Sequence, residues 1–292
     1  MFPVPLACGL LFSCLFLICF SSTGAPTTHE VRSNTYLTVC GDPNHLPFSN
    51  VKMEGFENRI AQLIADSTGR TLRYRWWPQT IGFIRNTLQV RLCDLVMGIN
   101  TVNELVQNTN PYYRSVYALV YRKDAGLTLH SLRDPRLKSL RLGVVAGTPP
   151  ATLLSRYGLM TQTRSYLRTV DTRHFSPASE AVADVASGSI DVAIVWGPIA
   201  GYSASHQPVP LVVSPLPPRE DSVQLAYNVS MGIRRRESRW KHQLNEWLAK
   251  HASEIVAILQ EYQVPLLDSQ DQLLDGTTIS AVDAPSAANA RE

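Results

Sequence analysis

The chain has 292 residues, 45% of them hydrophobic and 17% charged, with a formal net charge of +3. This length holds one large folded domain or two modest ones. The basic excess is small and clusters only at Arg234-Arg235-Arg236, which reads as a solvated turn before a helix and argues against a nucleic-acid surface.

Residues 1–25 carry no charge and contain an apolar stretch at 10–20 followed by Ser21-Ser22-Thr23-Gly24-Ala25, the pattern of a secretory signal peptide. The apolar stretch is shorter than the roughly 20 residues of a membrane span. Cys8, Cys14 and Cys19 leave with this segment, so Cys40 and Cys93 remain in an oxidising compartment. Two outcomes stay open for them. They form a disulfide, or they are two small buried hydrophobes held apart towards opposite ends of parallel strands.

Residues 36–41 form a short buried strand, broken at Gly41-Asp42-Pro43 and again at Pro47. A helix follows from Gly55, with Phe56, Ile60, Leu63 and Ile64 on one face and Gly69 just past its end. Residues 72–77 make a second strand stopped by Pro78. Thr80 is placed to cap a helix lined by Ile81, Ile84 and Leu88, and residues 93–99 make a third strand. This β-α-β-α-β order implies a parallel sheet.

Residues 100–110 are polar and irregular, and 116–121 are again apolar. A second set starts at 140–145, where Thr148 as N-cap and Pro149 as first helical residue open a short helix. Ser176-Pro177 repeats that signature before a helix over 178–186 closed by Gly188. A strand over 190–195, a short helix to Ser205, a strand at 211–213 and a stiff Pro-rich link at 215–218 follow. A strand at 229–233 and amphipathic helices over 237–249 and 253–263 complete the pattern. The expected class is therefore α/β with two lobes and a two-segment hinge. Lobe 1 takes residues 31–121 and 219–267, lobe 2 takes 122–218, and residues 268–292 read as a disordered tail.

Several segments resemble the type II periplasmic solute-binding fold over residues 35–267. They are Thr38-Val39-Cys40-Gly41-Asp42-Pro43, Gly55-Phe56-Glu57, Cys93-Asp94-Leu95-Val96-Met97-Gly98, Pro111-Tyr112-Tyr113 and Gly188-Ser189-Ile190-Asp191-Val192-Ala193. A narrower set is similar to the quinoprotein-dehydrogenase-associated branch of that fold, the MxaJ/XoxJ type. It comprises Asp42-Pro43-Asn44-His45-Leu46-Pro47-Phe48, Trp76-Trp77-Pro78-Gln79, Pro111-Tyr112-Tyr113-Arg114-Ser115 and Val195-Trp196-Gly197-Pro198. The resemblance implies a periplasmic accessory protein that partners a PQQ-dependent methanol dehydrogenase and assists its maturation or activation. The alternative is the solute-binding subunit of an importer for an uncharged or aromatic molecule. A monomer is expected, with no cofactor, no nucleic acid and no membrane contact once the signal is removed.

Amino-acid binders of this fold resemble one another in an Arg after the third strand and an Asp in lobe 2, which together neutralise a buried zwitterion. Here the segment after the third strand reads Gly98-Ile99-Asn100-Thr101-Val102-Asn103-Glu104-Leu105, with no Arg, and the second position reads Trp196, so both anchors are missing. Candidates for the cleft are Asp42, Asn44 and Phe48 on the first loop and Trp76 and Trp77 at the second strand. Asn100 follows the third strand, and Tyr112, Tyr113 and Arg114 precede the lobe crossing. Thr148, Trp196 and Tyr202 come from lobe 2. Each has a plainer role in packing, or for Asp42 and Asn44 in closing their own turn. Asp42 and His45 lack the further ligands a metal needs. Glu57 sits in the first turn of a helix, where dipole stabilisation accounts for it. With no nucleophile–base pair or phosphate loop, the chain reads as a non-enzyme.

Overall fold

The computed structural model describes residues 32–101, 103–168 and 170–274. The signal segment, and residues 275–292 of the expected tail, lie outside the described residues.

The first half starts with β1 (Tyr36–Gly41), a small hairpin of β2 (Asn44–His45) and β3 (Ser49–Asn50), and α1 (Phe56–Ser67). Then come β4 (Thr71–Trp76), α2 (Phe83–Asn86) and β5 (Leu95–Asn100). β1 pairs in parallel with β4 on one side and β5 on the other. The apolar residues at 56, 60, 61, 64 and 65 put one face of α1 into the core, and Gly69, with φ +66, ends it. Gly55 is the N-cap because a Cβ there would lie 2.0 Å from the Phe48 carbonyl oxygen.

Next comes β6 (Gln107–Arg122), then β7 (Leu142–Val145), α3 (Pro149–Arg156), β8 (Thr163–Tyr166) and α4 (Pro177–Ser187). β9 (Val192–Trp196), α5 (Gly197–Ser205) and β10 (Leu211–Pro215) complete the second half. A hairpin of β11 (Arg219–Glu220) and β12 (Val223–Gln224) leads to β13 (Ala226–Ile233), α6 (Ser238–Lys250) and α7 (Ala252–Glu261). Strands follow the order β4-β1-β5-β13-β6-β9-β7-β8, with β10 also on β6. The two parallel sets, β4-β1-β5 and β9-β7-β8, are thus joined by antiparallel strands. β6 is the shared piece: residues 107–116 pair with β13, and 117–122 pair with β9 and β10.

Each half buries both faces of its sheet. α1, α6 and α7 cover one face of the first set, where Leu37, Val39, Phe56, Trp240 and Leu259 pack together. The other face holds Cys40, Phe83, Leu88, Cys93 and Val96. In the second half, alternation sorts the strands: Leu119, Tyr121, Val192 and Ile194 join the α3 side, while Ala118, Val120, Ala193 and Val195 join the α4–α5 side. This is why β9 reads as an unbroken apolar run. Among the described residues no helix is long and apolar enough to cross a membrane.

The structure corrects several expectations. Thr80 caps no helix and Ile81 is exposed; α2 is a single turn that starts after Gly82, whose φ of +90 breaks the chain. Thr148 occupies the N-cap position of α3 without capping it, because its hydroxyl donates back to the Val145 carbonyl at 2.7 Å. β8 adds a strand that the sequence does not signal, since Thr-Arg-Ser-Tyr has no apolar run, as an edge strand often has none. Residues 268–274 are not a loose tail. Leu267 bridges to Leu273, Leu274 N donates to Leu266, and Asp271 pairs with Arg114 at 2.6 Å.

Cys40 and Cys93 are bridged, with Cα atoms 5.5 Å apart. The expectation that they sit at opposite strand ends fails because the strands are staggered. Cys40 lies opposite Val96, and Cys93 sits in the turn just before β5 rather than inside it.

Candidate functional site

A cleft of about 530 Å3 opens beside the C-terminal ends of β1, β5 and β9. This is where strand ends of an α/β sheet leave a crevice. Its volume falls in the range of small-molecule sites.

The first wall is set by how the loop after β1 docks onto α1. Phe56 N donates to the Pro47 carbonyl at 2.8 Å and Glu57 N to the Phe48 carbonyl at 2.9 Å. The loop thus satisfies helix N–H groups that have no partner within the helix. Asn58 Oδ1 accepts from Gly55 N and Asn50 N, fixing the same junction from the other side. Docking orients the Glu57 side chain into the cleft, where it is only 6% exposed. Its carboxyl accepts no hydrogen bond from any described residue. Gly98 makes room for it: φ is +67, and a Cβ there would lie 2.3 Å from Glu57 Oε1. Burial, and secondly the Asp42 charge, push the Glu57 carboxyl up to about 8. The Tyr112 and Tyr113 phenols are buried beside it and are pushed up, by burial first and then by Glu57.

Aromatic rings enclose the space. Phe48 lies edge-on to Phe56 at 5.3 Å, and Phe56 lies edge-on to Tyr113 at 6.0 Å. Opposite, Trp196 contacts Tyr117 at 5.2 Å and Tyr227 at 6.0 Å. The second wall adds Gly147, Pro149 and Arg168, whose guanidinium donates to the Gly147 carbonyl at 3.1 Å. The Tyr117 phenol is pushed up by burial, with the Arg168 charge opposing. His45 also lines the cleft, and burial holds its imidazole below the usual range.

Of the residues picked from sequence, Phe48, Asn100, Tyr113 and Trp196 line the cleft. The others stand elsewhere. Asp42 is buried and closes its own loop: Oδ1 accepts from Asn44 N at 2.9 Å, and Oδ2 accepts from Gln79 N and Thr172 Oγ1, both at 2.6 Å. Asn44 donates to the Thr172 and Arg173 carbonyls, so these two side chains tie the first loop to residues of the second half. Trp76 stacks on Tyr74 at 4.3 Å, and Trp77 lies beyond the end of β4 with 41% exposure. Tyr112 accepts from Gly98 N behind the wall. Arg114 pairs with Asp271, Thr148 folds back onto β7, and Tyr202 stacks on Tyr262 at 5.9 Å. These side chains support elements around the cleft rather than facing it.

Sequence reasoning missed Glu57 as a cleft group and Arg168 altogether. The cleft thus carries two ionisable groups besides its aromatic rings and His45. The signal for Glu57 was its place in the first turn of the helix that follows the first loop of the cleft. Arg168 follows an edge strand with no apolar pattern and had no such signal.

The comparisons agree with this architecture. The model of bacterial extracellular solute-binding proteins, family 3, matches residues 37–263. Protein MoxJ of Methylorubrum extorquens is 30% identical over 246 residues, covering 79% of this chain and 81% of that protein. Protein MoxJ of Paracoccus denitrificans is 31% identical over 254 residues, covering 82% and 92%. The crystal structure of periplasmic binding protein XoxJ from Methylobacterium extorquens AM1 matches with a TM-score of 0.69 and 44% identity. It covers 80% of this chain and 100% of that one. More distant likeness at 21% identity, to an ancestral cationic amino acid solute-binding protein, shows the fold alone.

Proposed function

The chain belongs to the bacterial extracellular solute-binding proteins, family 3, within the MxaJ/XoxJ type of the type II periplasmic binding fold, and from this premise we propose that it is a periplasmic accessory protein of a PQQ-dependent methanol dehydrogenase. It binds the dehydrogenase and assists its maturation or activation, and it catalyses no reaction itself. The observation that carries this reading is the 44% identity over the full length of XoxJ, well above the 21% shared with an amino-acid binder of the same fold. Support also comes from the sequence, where the segment 98–105 after the third strand contains no Arg and Trp196 stands in place of the lobe-2 Asp of amino-acid binders.

The test is a pull-down of the dehydrogenase with this protein from periplasmic extract, together with dehydrogenase activity in a strain deleted for it. A complex and a loss of activity are expected. An unchanged activity with no complex removes the reading.

A second reading, small-molecule binding in the cleft, is favoured by one observation: Glu57 is buried at its floor with no hydrogen-bond partner among the described residues. Its carboxyl is presented to the cleft space, where a bound molecule can engage it. Native mass spectrometry of the purified protein tests this reading, with a retained small molecule as the expected outcome.

A further inference from the structure

The cleft carries two groups able to fix a ligand by charge or hydrogen bond from opposite walls, Glu57 and Arg168. We propose that it takes a small aromatic carboxylate without an ammonium group, whose carboxylate meets Arg168 and whose second oxygen accepts a hydrogen bond from the Glu57 carboxylic acid. This rests on the reading of the cleft as a small-molecule site and names its ligand class.

Three observations lead there. First, the rings of Phe48, Tyr113, Tyr117, Trp196 and Tyr227 line the space, and a volume of about 530 Å3 admits a single substituted ring with room to spare. Second, a carboxyl group that works as an anion is ordinarily supplied with donors. Asp42 shows this in the same neighbourhood, with Asn44 N, Gln79 N and Thr172 Oγ1 all donating to it. Glu57 receives none from a described residue, although it too is buried. Its site therefore suits the neutral acid, which is a donor. Third, Arg168 is the cation on the cleft lining, beside the Tyr117 phenol, and a guanidinium matches a carboxylate with two parallel hydrogen bonds.

The groups facing Glu57 agree with the neutral form. Asp42 is negative and close, His45 is held neutral by burial, and Tyr74, Tyr112 and Tyr113 are phenols pushed above their usual range. Among the described residues no Lys or Arg is an electrostatic partner of Glu57, so nothing offsets its ionisation. The carboxyl, raised to about 8, is largely protonated at neutral pH.

The experiment is isothermal titration calorimetry of the full mature chain with three probes: 4-acetylbenzoate, benzylamine and L-phenylalanine. At pH 7 the benzoate is expected to bind and the other two are not. Arg168→Gln is expected to weaken the benzoate about tenfold, the size of one charge-assisted contact at a solvated site. Glu57→Gln is expected to hold its affinity within about threefold, because the amide still donates. Raising the pH to 9.5 is expected to weaken the wild type and leave Glu57→Gln unchanged. Binding of benzylamine or L-phenylalanine that is lost in Glu57→Gln overturns the proposed class, because Glu57 then acts as a carboxylate that pairs with a cation; the cleft remains a small-molecule site. Binding of none of the three, while native mass spectrometry finds a retained molecule, overturns the class alone. Binding of none, with no retained molecule, overturns the class and the small-molecule reading together, and leaves the dehydrogenase pull-down as an independent result.

Discussion

On the first wall of the cleft, Glu57, Gly98 and Tyr113 belong to regular elements, α1, β5 and β6, and Glu57 and Tyr113 are buried against the core. On the second wall, Gly147 and Arg168 belong to loops beyond β7 and β8, and Arg168 is exposed. The first wall is thus a consequence of packing: moving Glu57 means moving a helix start that the Pro47 and Phe48 carbonyls hold. The second wall carries its charge on a long side chain tied by one hydrogen bond to Gly147. The difference teaches that the two walls are held by different means: changes on the first wall are expected to alter folding, while changes at Arg168 are expected to leave it unaltered.

The largest test of this contrast lies under the first wall. The Cys40–Cys93 bridge spans 53 residues of chain. Replacing both by Ala is expected to cost about 4 kcal/mol, from the loop-closure entropy regained by the unfolded chain. Urea unfolding measures it, and a loss under 1 kcal/mol would show that the first wall does not depend on this staple.

The Glu57→Gln variant acts in the opposite direction. The folded carboxyl titrates at about 8 and the ordinary value is 4.5. Between these values the folded state holds a proton that the unfolded state has released. Stability therefore falls as pH rises from about 4.5 to 8 and is level above that window. The amide removes the slope, so the variant is expected to gain about 2–3 kcal/mol at pH 7 and little at pH 4.5. Thermal unfolding against pH checks this; parallel curves for the two proteins would break the account of Glu57 as an unpartnered acid.

Gly98→Ala places a methyl group against Glu57 Oε1 and forces an L-residue to a φ of +67. A loss of about 2 kcal/mol is expected, smaller in combination with Glu57→Ala, which vacates the space. Additive losses in that double-mutant cycle would show that the two residues do not share the site.

Thr172→Val removes one donor to Asp42 at the junction between the halves. Its expected cost is about 1 kcal/mol, and the crystal structure of the variant is expected to keep Asn44 in place through its contact to Arg173. Arg168→Gln has the smallest effect, within about 0.5 kcal/mol of wild type in urea unfolding, as for an exposed side chain. A larger loss would mean that the second wall also belongs to the stability of the fold.

Much of this arrangement was legible in residues that act locally. The apolar face of α1, the Ser176-Pro177 start of α4, the Gly188 end and the unbroken β9 run all depend on neighbours within a few positions. The motif likeness reached the family for the same reason, since its segments are short and contiguous. Trp196 and Tyr113 were found in the cleft because they end or border predicted strands. Trp77, Arg114 and Tyr202 do not line it, because whether a side chain such as Arg114 or Tyr202 faces a cleft or a neighbour depends on partners far along the chain: Asp271 for Arg114 and Tyr262 for Tyr202.

By itself, then, the sequence determined the alternation of strands and helices and the two parallel sets, because periodicity and short motifs are local properties. Tertiary structure alone decided the stagger that brings Cys93 to Cys40, the continuous β6 that joins the halves, and the placing of Glu57 and Arg168 on the lining of one cleft. The charge state of Glu57 belongs to that second class. A glutamate in the first turn of a helix is ordinarily a stabilised anion, and only its burial in the fold, and secondly the Asp42 charge, raise its carboxyl to about 8.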